Sequence, residues 1–206
     1  MPEFVYDDRK VEFTGTYTGG YDCINRGAFY EQAFLEHVRS LGLSGTYLDI
    51  GTNIGNHALY FAMFCPSQRV IGFEPMTHWR ARAIANMAAN GCDGKVEIKP
   101  FGLLDRDEQL EFNPYGTPFV LDCKTLDEVL PDLADVSFVK MDIEGSEPRA
   151  LLGGADLFRR NRPVIYAEVL GDADALLAAA ATIGYRHSGE IFTYACSPMY
   201  ALVPAD

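Results

Sequence analysis

Basic residues are scarce: 17 Lys and Arg stand against 29 Asp and Glu, a formal charge of −12 over 206 residues. A phosphate backbone would meet net repulsion instead of the basic stripe that nucleic-acid binders carry, so neither DNA nor RNA is an expected partner. The same imbalance disfavours an anionic membrane surface, whereas a cationic ligand would be welcome if some of the acids line a pocket. Long apolar runs are also missing. Crossing a bilayer takes roughly 20 such residues, and the most Ala-rich stretch, Ala173 to Ile183, is interrupted by Asp174 and Thr182. The N-terminus, Met1-Pro-Glu-Phe-Val-Tyr-Asp-Asp, has neither the basic start nor the apolar core of a secretory signal, which makes a cytoplasmic location the expectation. Five cysteines, Cys23, Cys65, Cys92, Cys123 and Cys196, are odd in number and never form a C-x-x-C pair. They point to neither a disulfide framework nor a zinc knuckle, and read as reduced, mostly buried thiols.

What remains is an ordinary globular composition, 48% hydrophobic and 22% charged, of a length that suits one domain. Buried-looking strands alternate with segments of helical period, without repeat or linker, which argues an α/β chain with a largely parallel sheet. The expected strands are Thr46 to Ile50, Val70 to Phe73, Val96 to Pro100, Val136 to Asp142 and Val164 to Glu168. Helices are expected after Gly55 as far as Pro66, from a Thr77 cap to Asn90-Gly91, from near Pro148, and from Asp172 to Ile183. Gln109 to Phe112 reads as a short polar strand closed by the turn Asn113-Pro-Tyr-Gly116, and Thr125 to Leu130 as a short helix. Two β-rich stretches, Glu190 to Ala195 and Met199 to Val203, form a terminal antiparallel pair. Residues 1–45 are the least regular; a helix from about Ala28 to Leu41 marks them as a flank or lid on a core of residues 46–206.

Three segments carry chemistry. In YLDIGTNIGNH, residues 47–57, an apolar strand runs into glycines 51 and 55 and then a helix. Gly51 permits a sharp turn, Gly55 permits close approach to the helix start, and the helix N-terminus offers free N–H donors. The spacing Gly51-x-x-x-Gly55 is not the dinucleotide G-x-G-x-x-G, and Asn53 would crowd a pyrophosphate, so a compact group such as an amino-acid carboxylate matches better. Glu74, at the end of the second strand, stands where parallel-sheet nucleotide folds place a carboxylate for a ribose diol; the plainer alternative is a helix-capping acid. In VSFVKMDIEGSE, residues 136–147, alternation puts Lys140 and Asp142 on one face, with Glu144 joining them if the strand continues. A buried ammonium needs a partner, so Lys140 and Asp142 read either as a structural ion pair or as part of an acidic rim. Asp49, Glu74, Asp142 and Glu168 all fall at strand C-termini, where open α/β sheets bind ligands.

The order YLDIGTNIGNHALYFA, VIGFEP, KTLDEVL, VKMDIEGSEPRALLGG and RPVIYAEV resembles the FkbM-type methyltransferases over about residues 45–170. The resemblance implies a class I methyltransferase fold: a mostly parallel seven-stranded Rossmann-like sheet, helices on both faces and an antiparallel last strand. It also implies S-adenosyl-L-methionine as cofactor and O-methylation of a hydroxyl on a small molecule, natural product or saccharide. By matching positions, Asp49, Gly51, Asn53 and Gly55 hold the methionine part, with Asp49 near its ammonium. Glu74 takes the ribose, and Phe101-Gly102 flank the adenine unless Phe101 is simply core. The resemblance does not reach residues 1–44, and acceptor selection is expected there or in residues 105–120.

Asp142 is the expected general base, within reach of the acceptor hydroxyl. Lys140 tunes it, or replaces it if its own pKa is lowered, and Glu144 positions the acceptor. A metal-assisted route, with Asp142 and Glu168 holding Mg²⁺, is the weaker alternative because no third oxygen ligand is evident, and the four histidines show no ligand spacing. His57 reads as a packing or capping group rather than a base. The competing functions are a nicotinamide-dependent oxidoreductase, which also uses a glycine turn and a terminal acid, and a protein of this fold that binds the cofactor without turnover.

Overall fold

A computed structural model of the chain describes residues 1–206 except 114, 115, 117, 172, 195 and 196. The expected ends at Asp172 and Ala195, the centre of the Asn113 to Gly116 turn, and the thiol of Cys196 lie outside the described residues. The chain opens with a hairpin of β1 (Glu3–Tyr6) and β2 (Arg9–Glu12), then α1 (Asp22–Asn25) and α2 (Gln32–Ser40). β3 (Gly45–Ile50), α3 (Asn56–Phe64), β4 (Ser67–Phe73), α4 (Thr77–Ala89) and β5 (Val96–Lys99) follow in alternation. β6 (Gly102–Leu103), β7 (Glu108–Phe112) and β8 (Phe119–Lys124) make a small side sheet. The chain ends with α5 (Leu126–Val129), β9 (Val136–Met141), α6 (Glu147–Gly153), α7 (Ala155–Asn161), β10 (Val164–Glu168), α8 (Asp174–Thr182), β11 (Tyr185–Tyr194) and β12 (Ser197–Pro204).

The main sheet has seven strands in the order β11-β12-β10-β9-β3-β4-β5. Its pairs from β10 through β5 are parallel, and β12 runs against both β10 and β11. This is the Rossmann-like sheet with a reversed last strand that the family resemblance implies. Period-two alternation divides its side chains between two cores. Tyr47, Phe138 and Tyr166 face α2 and α3, while Leu48, Ile50, Val139 and Ile165 face α6, α7 and α8. Helices therefore cover both faces, and the strand ends between them are left for a ligand.

The flank is more regular than the sequence suggested. Asp7 and Asp8, at φ 48° and 60°, close the N-terminal hairpin, and its Phe4 and Tyr6 pack on Phe29 and Tyr60 of the main core. Each fully buried aromatic of this cluster contributes about 1.5–3 kcal/mol. The expected helix from Ala28 begins only at Gln32, because Glu31 stands at φ 55° and breaks it. Likewise Met76, not Thr77, is the N-cap of α4.

Asn86, fully buried on α4, ties the flank to the glycine turn. Its Oδ1 accepts from Thr14 N at 2.7 Å and Thr14 Oγ1 at 2.8 Å, and its Nδ2 donates to Ile54 O at 2.8 Å. Asn86→Ala strands these groups in the interior, at about 1–3 kcal/mol for each one left unsatisfied. The expected result is a lower urea midpoint, equivalent to a stability loss of about 2 kcal/mol or more. A variant as stable as the parent would show that water replaces the amide.

Candidate active site

At the C-terminal ends of β3, β4, β9 and β10 lies a cleft of about 490 Å³, within the range that holds one drug-sized ligand. The turn after β3 forms part of its floor. Gly51 (φ 83°) hugs the end of β9 so closely that a Cβ there would stand 1.9 Å from the Asp142 carbonyl oxygen. Gly55 (φ 85°) is required for packing: a Cβ would meet Met87 Cε at 2.8 Å, on α4. The expectation that Gly55 opens the helix start to a ligand is corrected here, since the residue instead seats α3 on α4.

Asp49 departs from its expected place as well. It is fully buried beneath the turn, where Oδ2 accepts from Ala58 N at 3.1 Å and Oδ1 has Lys140 Nζ at 3.5 Å but no hydrogen bond. Lys140, itself buried, also reaches Asp142 Oδ2 at 3.5 Å and donates to Gly51 O at 2.9 Å. One cation thus holds the ends of β3 and β9 and the turn between β3 and α3 together. Burial works to lower the Lys140 pKa, but Asp142 and Asp49 outweigh it and hold it above the ordinary lysine value. The condition under which Lys140 would serve as base, a lowered pKa, is not met.

Glu74 is buried, and its carboxylate accepts from Asn53 N and Met76 N, both at 2.8 Å. It therefore caps the start of α4 and braces the glycine turn, while also lining the cleft. Burial raises its pKa, with those two N–H groups opposing. Asn53, at φ 49°, leaves its Oδ1 buried without a hydrogen-bond partner. Asn53 lines the cleft, so its Oδ1 is an acceptor that suits a ligand ammonium, whereas Asp49 Oδ1 faces Lys140 beneath the turn. Phe101 and Gly102 both line the cleft, and Phe101 is half-buried rather than core.

Asp142 and Glu168 sit side by side, one residue past the β9–β10 pair of Met141 and Ala167, and both line the cleft. Burial pushes Asp142 up, but Lys140 and then the neighbouring Glu168 carboxyl prevail and hold it below the ordinary carboxylate value. Glu168 goes the other way: burial and then Asp142 raise it to about 8. The two carboxyl groups therefore differ in the direction of their shifts, as neighbouring acids that titrate together do. Glu144 does not extend the strand; it stands at φ 57° in an exposed turn, yet still lines the cleft beside Asp142. Burial and Asp142 raise its pKa.

The raised Glu168 pKa links to stability. An unfolded carboxyl ionises near ~4.3, so between that value and about 8 the folded chain binds more protons than the unfolded one. Glu168 therefore costs more stability as pH rises through this window, levelling off above it. Glu168→Gln should gain on the parent in urea midpoint from about pH 5 to about pH 8. A constant gap between the two would contradict the assignment.

The wall opposite the sheet comes from the flank, through residues that carry no motif in the sequence. Tyr21 and Tyr30 line the cleft with ring centroids 4.8 Å apart. Asn56 Oδ1 accepts from Tyr30 N at 3.0 Å, and its Nδ2 donates to Tyr30 O at 2.9 Å. Next to this pair, His57 Nε2 lies 2.9 Å from Glu31 Oε2, both side chains buried. His57 also lines the cleft, which a capping role does not require. Leu110, Phe112 and Leu121 of the β7–β8 pair supply an apolar edge. Both segments expected to select an acceptor, residues 1–44 and 105–120, thus contribute to the wall. Among the described residues, no cluster of three or more His, Cys, Asp or Glu could hold a metal ion, and no helix is long and apolar enough to cross a membrane.

The model of the methyltransferase FkbM domain matches residues 49–186. The chain belongs to the FkbM methyltransferase domain family. Among curated proteins, it is 34% identical over 91 residues to the AMB antimetabolite synthetase AmbE of Pseudomonas aeruginosa. That match covers 42% of this chain and 4% of the synthetase. Among solved structures, an FkbM methyltransferase of Methylobacillus flagellatus KT superposes with a TM-score of 0.60 at 19% identity, covering 77% of this chain and 43% of that one. A candidate tRNA methyltransferase of Streptococcus pneumoniae, in complex with S-adenosyl-L-methionine, gives 0.58 at 16% identity, covering 84% and 73%. These two likenesses are of fold. The FkbM assignment supports a methyltransferase with S-adenosyl-L-methionine as cofactor and favours it over the oxidoreductase reading.

Proposed function

We propose that this FkbM-family chain transfers the methyl group of S-adenosyl-L-methionine to a hydroxyl oxygen of a small molecule, natural product or saccharide. Bound in the cleft, the cofactor supplies a methyl group on a positively charged sulfur. Asn53 and the turn around Gly51 receive its amino-acid end, with Asp49 acting from beneath through Lys140. Glu74 accepts from the ribose hydroxyls through the lone pairs left by Asn53 N and Met76 N. Phe101 and Gly102 flank the base. Holding the acceptor oxygen in line with the methyl group can contribute on the order of 7–11 kcal/mol by orientation alone.

The observation that carries this reading is Asp142: a carboxylate at the cleft, kept ionised by a buried lysine, one strand away from the glycine turn. A base in that state accepts the hydroxyl proton as the oxygen takes the methyl group. Glu144, at the exposed mouth, positions the acceptor. The charge of −12 argues against a nucleic-acid acceptor, unlike the tRNA methyltransferases of similar fold. The test is a panel of hydroxylated metabolites and sugars incubated with tritiated S-adenosyl-L-methionine. Label in an ether product supports the reading, and label only in amines or RNA refutes it.

A further inference from the structure

Asp142 and Glu168 are neighbouring acids in the cleft, and the one buried lysine beside them is divided between Asp49 and Asp142. S-adenosyl-L-methionine and S-adenosylhomocysteine differ in one methyl group and one positive charge at sulfur. We propose that the Asp142–Glu168 pair is a charge-matched proton store: it releases one proton when the sulfonium form binds and refills with the hydroxyl proton during transfer. This rests on the methyltransferase reading above and adds a role for Glu168.

The geometry supports it. Asp142 and Glu168 are neighbours across the parallel β9–β10 pair and both line the cleft. The cation beside them offers little to a second negative charge. Lys140 is already shared between Asp142, Asp49 and Gly51 O, so one cation faces at least three carboxylates. The other groups around the pair are mostly acidic or phenolic. Glu144 and Glu147 act on it from the segment after β9, and β12 pairs with β10 beside Glu168. From the flank come Tyr21 and Glu31, and from α3 His57, which can carry positive charge as Lys140 does. With the cleft empty, Glu168 keeps its proton up to about 8. A sulfonium beside the pair supplies the missing counter-charge, so the proton leaves to solvent.

The step balances. Before transfer the pair carries two negative charges and the sulfur one positive charge. The S–CH₃ bond breaks with its electron pair staying on sulfur, and the O–CH₃ bond forms from an oxygen lone pair. The hydroxyl proton passes to the carboxyl pair. Afterwards the sulfur is neutral and the pair carries one negative charge, so the net charge is unchanged and the pair is back in its resting state. Product cofactor then faces a store whose charge no longer favours a cation.

Calorimetric titration of the intact chain tests this without an acceptor. Each cofactor form is titrated in two buffers of different ionisation enthalpy near pH 7. We expect S-adenosyl-L-methionine to release roughly one proton more than S-adenosylhomocysteine. The ratio of their affinities should rise with pH, by up to about tenfold per pH unit below the pKa of the pair. Glu168→Gln should abolish both the proton difference and the slope, whereas His57→Gln should leave them. Equal proton release by the two forms overturns the inference, as does a difference that follows His57 instead of Glu168. If neither form binds the parent, the methyltransferase reading itself fails. Binding of both with equal proton counts removes only the proton store.

Discussion

Asp142→Asn should lower methyl transfer to a confirmed acceptor by about 10²–10⁴-fold, the usual contribution of a positioned general base. S-adenosylhomocysteine should bind the variant with close to parental affinity, because the contacts proposed for its ribose and amino-acid ends fall on Glu74 and the glycine turn. Asparagine keeps the shape of the carboxylate but cannot take the proton. The comparison of turnover with product-cofactor binding separates loss of chemistry from loss of the site. Near-normal turnover would remove Asp142 as base. A parallel collapse of turnover and binding would make it structural.

Lys140→Met should be the most destabilising single change in the sheet. Removing one partner of a buried charge pair costs about 3–5 kcal/mol, because the remaining charge is left without compensation. Here two carboxylates are affected, Asp49 fully buried and Asp142 partly so, and the Gly51 carbonyl loses its donor at 2.9 Å. Such a loss is a large part of an ordinary domain's stability of about 5–15 kcal/mol. Urea unfolding monitored by circular dichroism measures it. The double variant Asp49→Asn with Lys140→Met should recover a good part of the loss, since the substituted amide carries no charge and its oxygen can still accept from Ala58 N. A cost below about 1 kcal/mol for Lys140→Met would mean that the ammonium is solvated and the cleft floor is open.

The central sheet was legible in the sequence because its strands are apolar runs ending in glycine or an acid, and two periodicities suffice to tell them from helices. Lys140 and Asp142 were placed on one face by alternation alone, and Glu74 by its position at a strand end. The N-terminal hairpin was missed since each strand is four residues long and the turn is Asp7-Asp8 rather than an Asn-Gly pair. Glu31 gave no local signal: its left-handed backbone and its bond to His57 exist only once the flank folds over α3. The reasons for Gly51 and Gly55 were read as turning and ligand approach, but the atoms they make room for, the Asp142 carbonyl and Met87, come from distant segments. Glu168 was seen as a rim acid, yet its proton depends on being beside Asp142, and only the strand order supplies that.

Glu74 bears most directly on the claim that this cleft holds the nucleoside. Isothermal titration of S-adenosylhomocysteine into the parent should give one site per chain. Glu74→Gln should weaken it by about 10- to 100-fold, the loss expected when a hydrogen bond to a charged group is replaced by a neutral one. A thermal melt of the variant checks that the α4 start still folds. Absence of binding to the parent, or an affinity untouched by Glu74→Gln, would contradict the account.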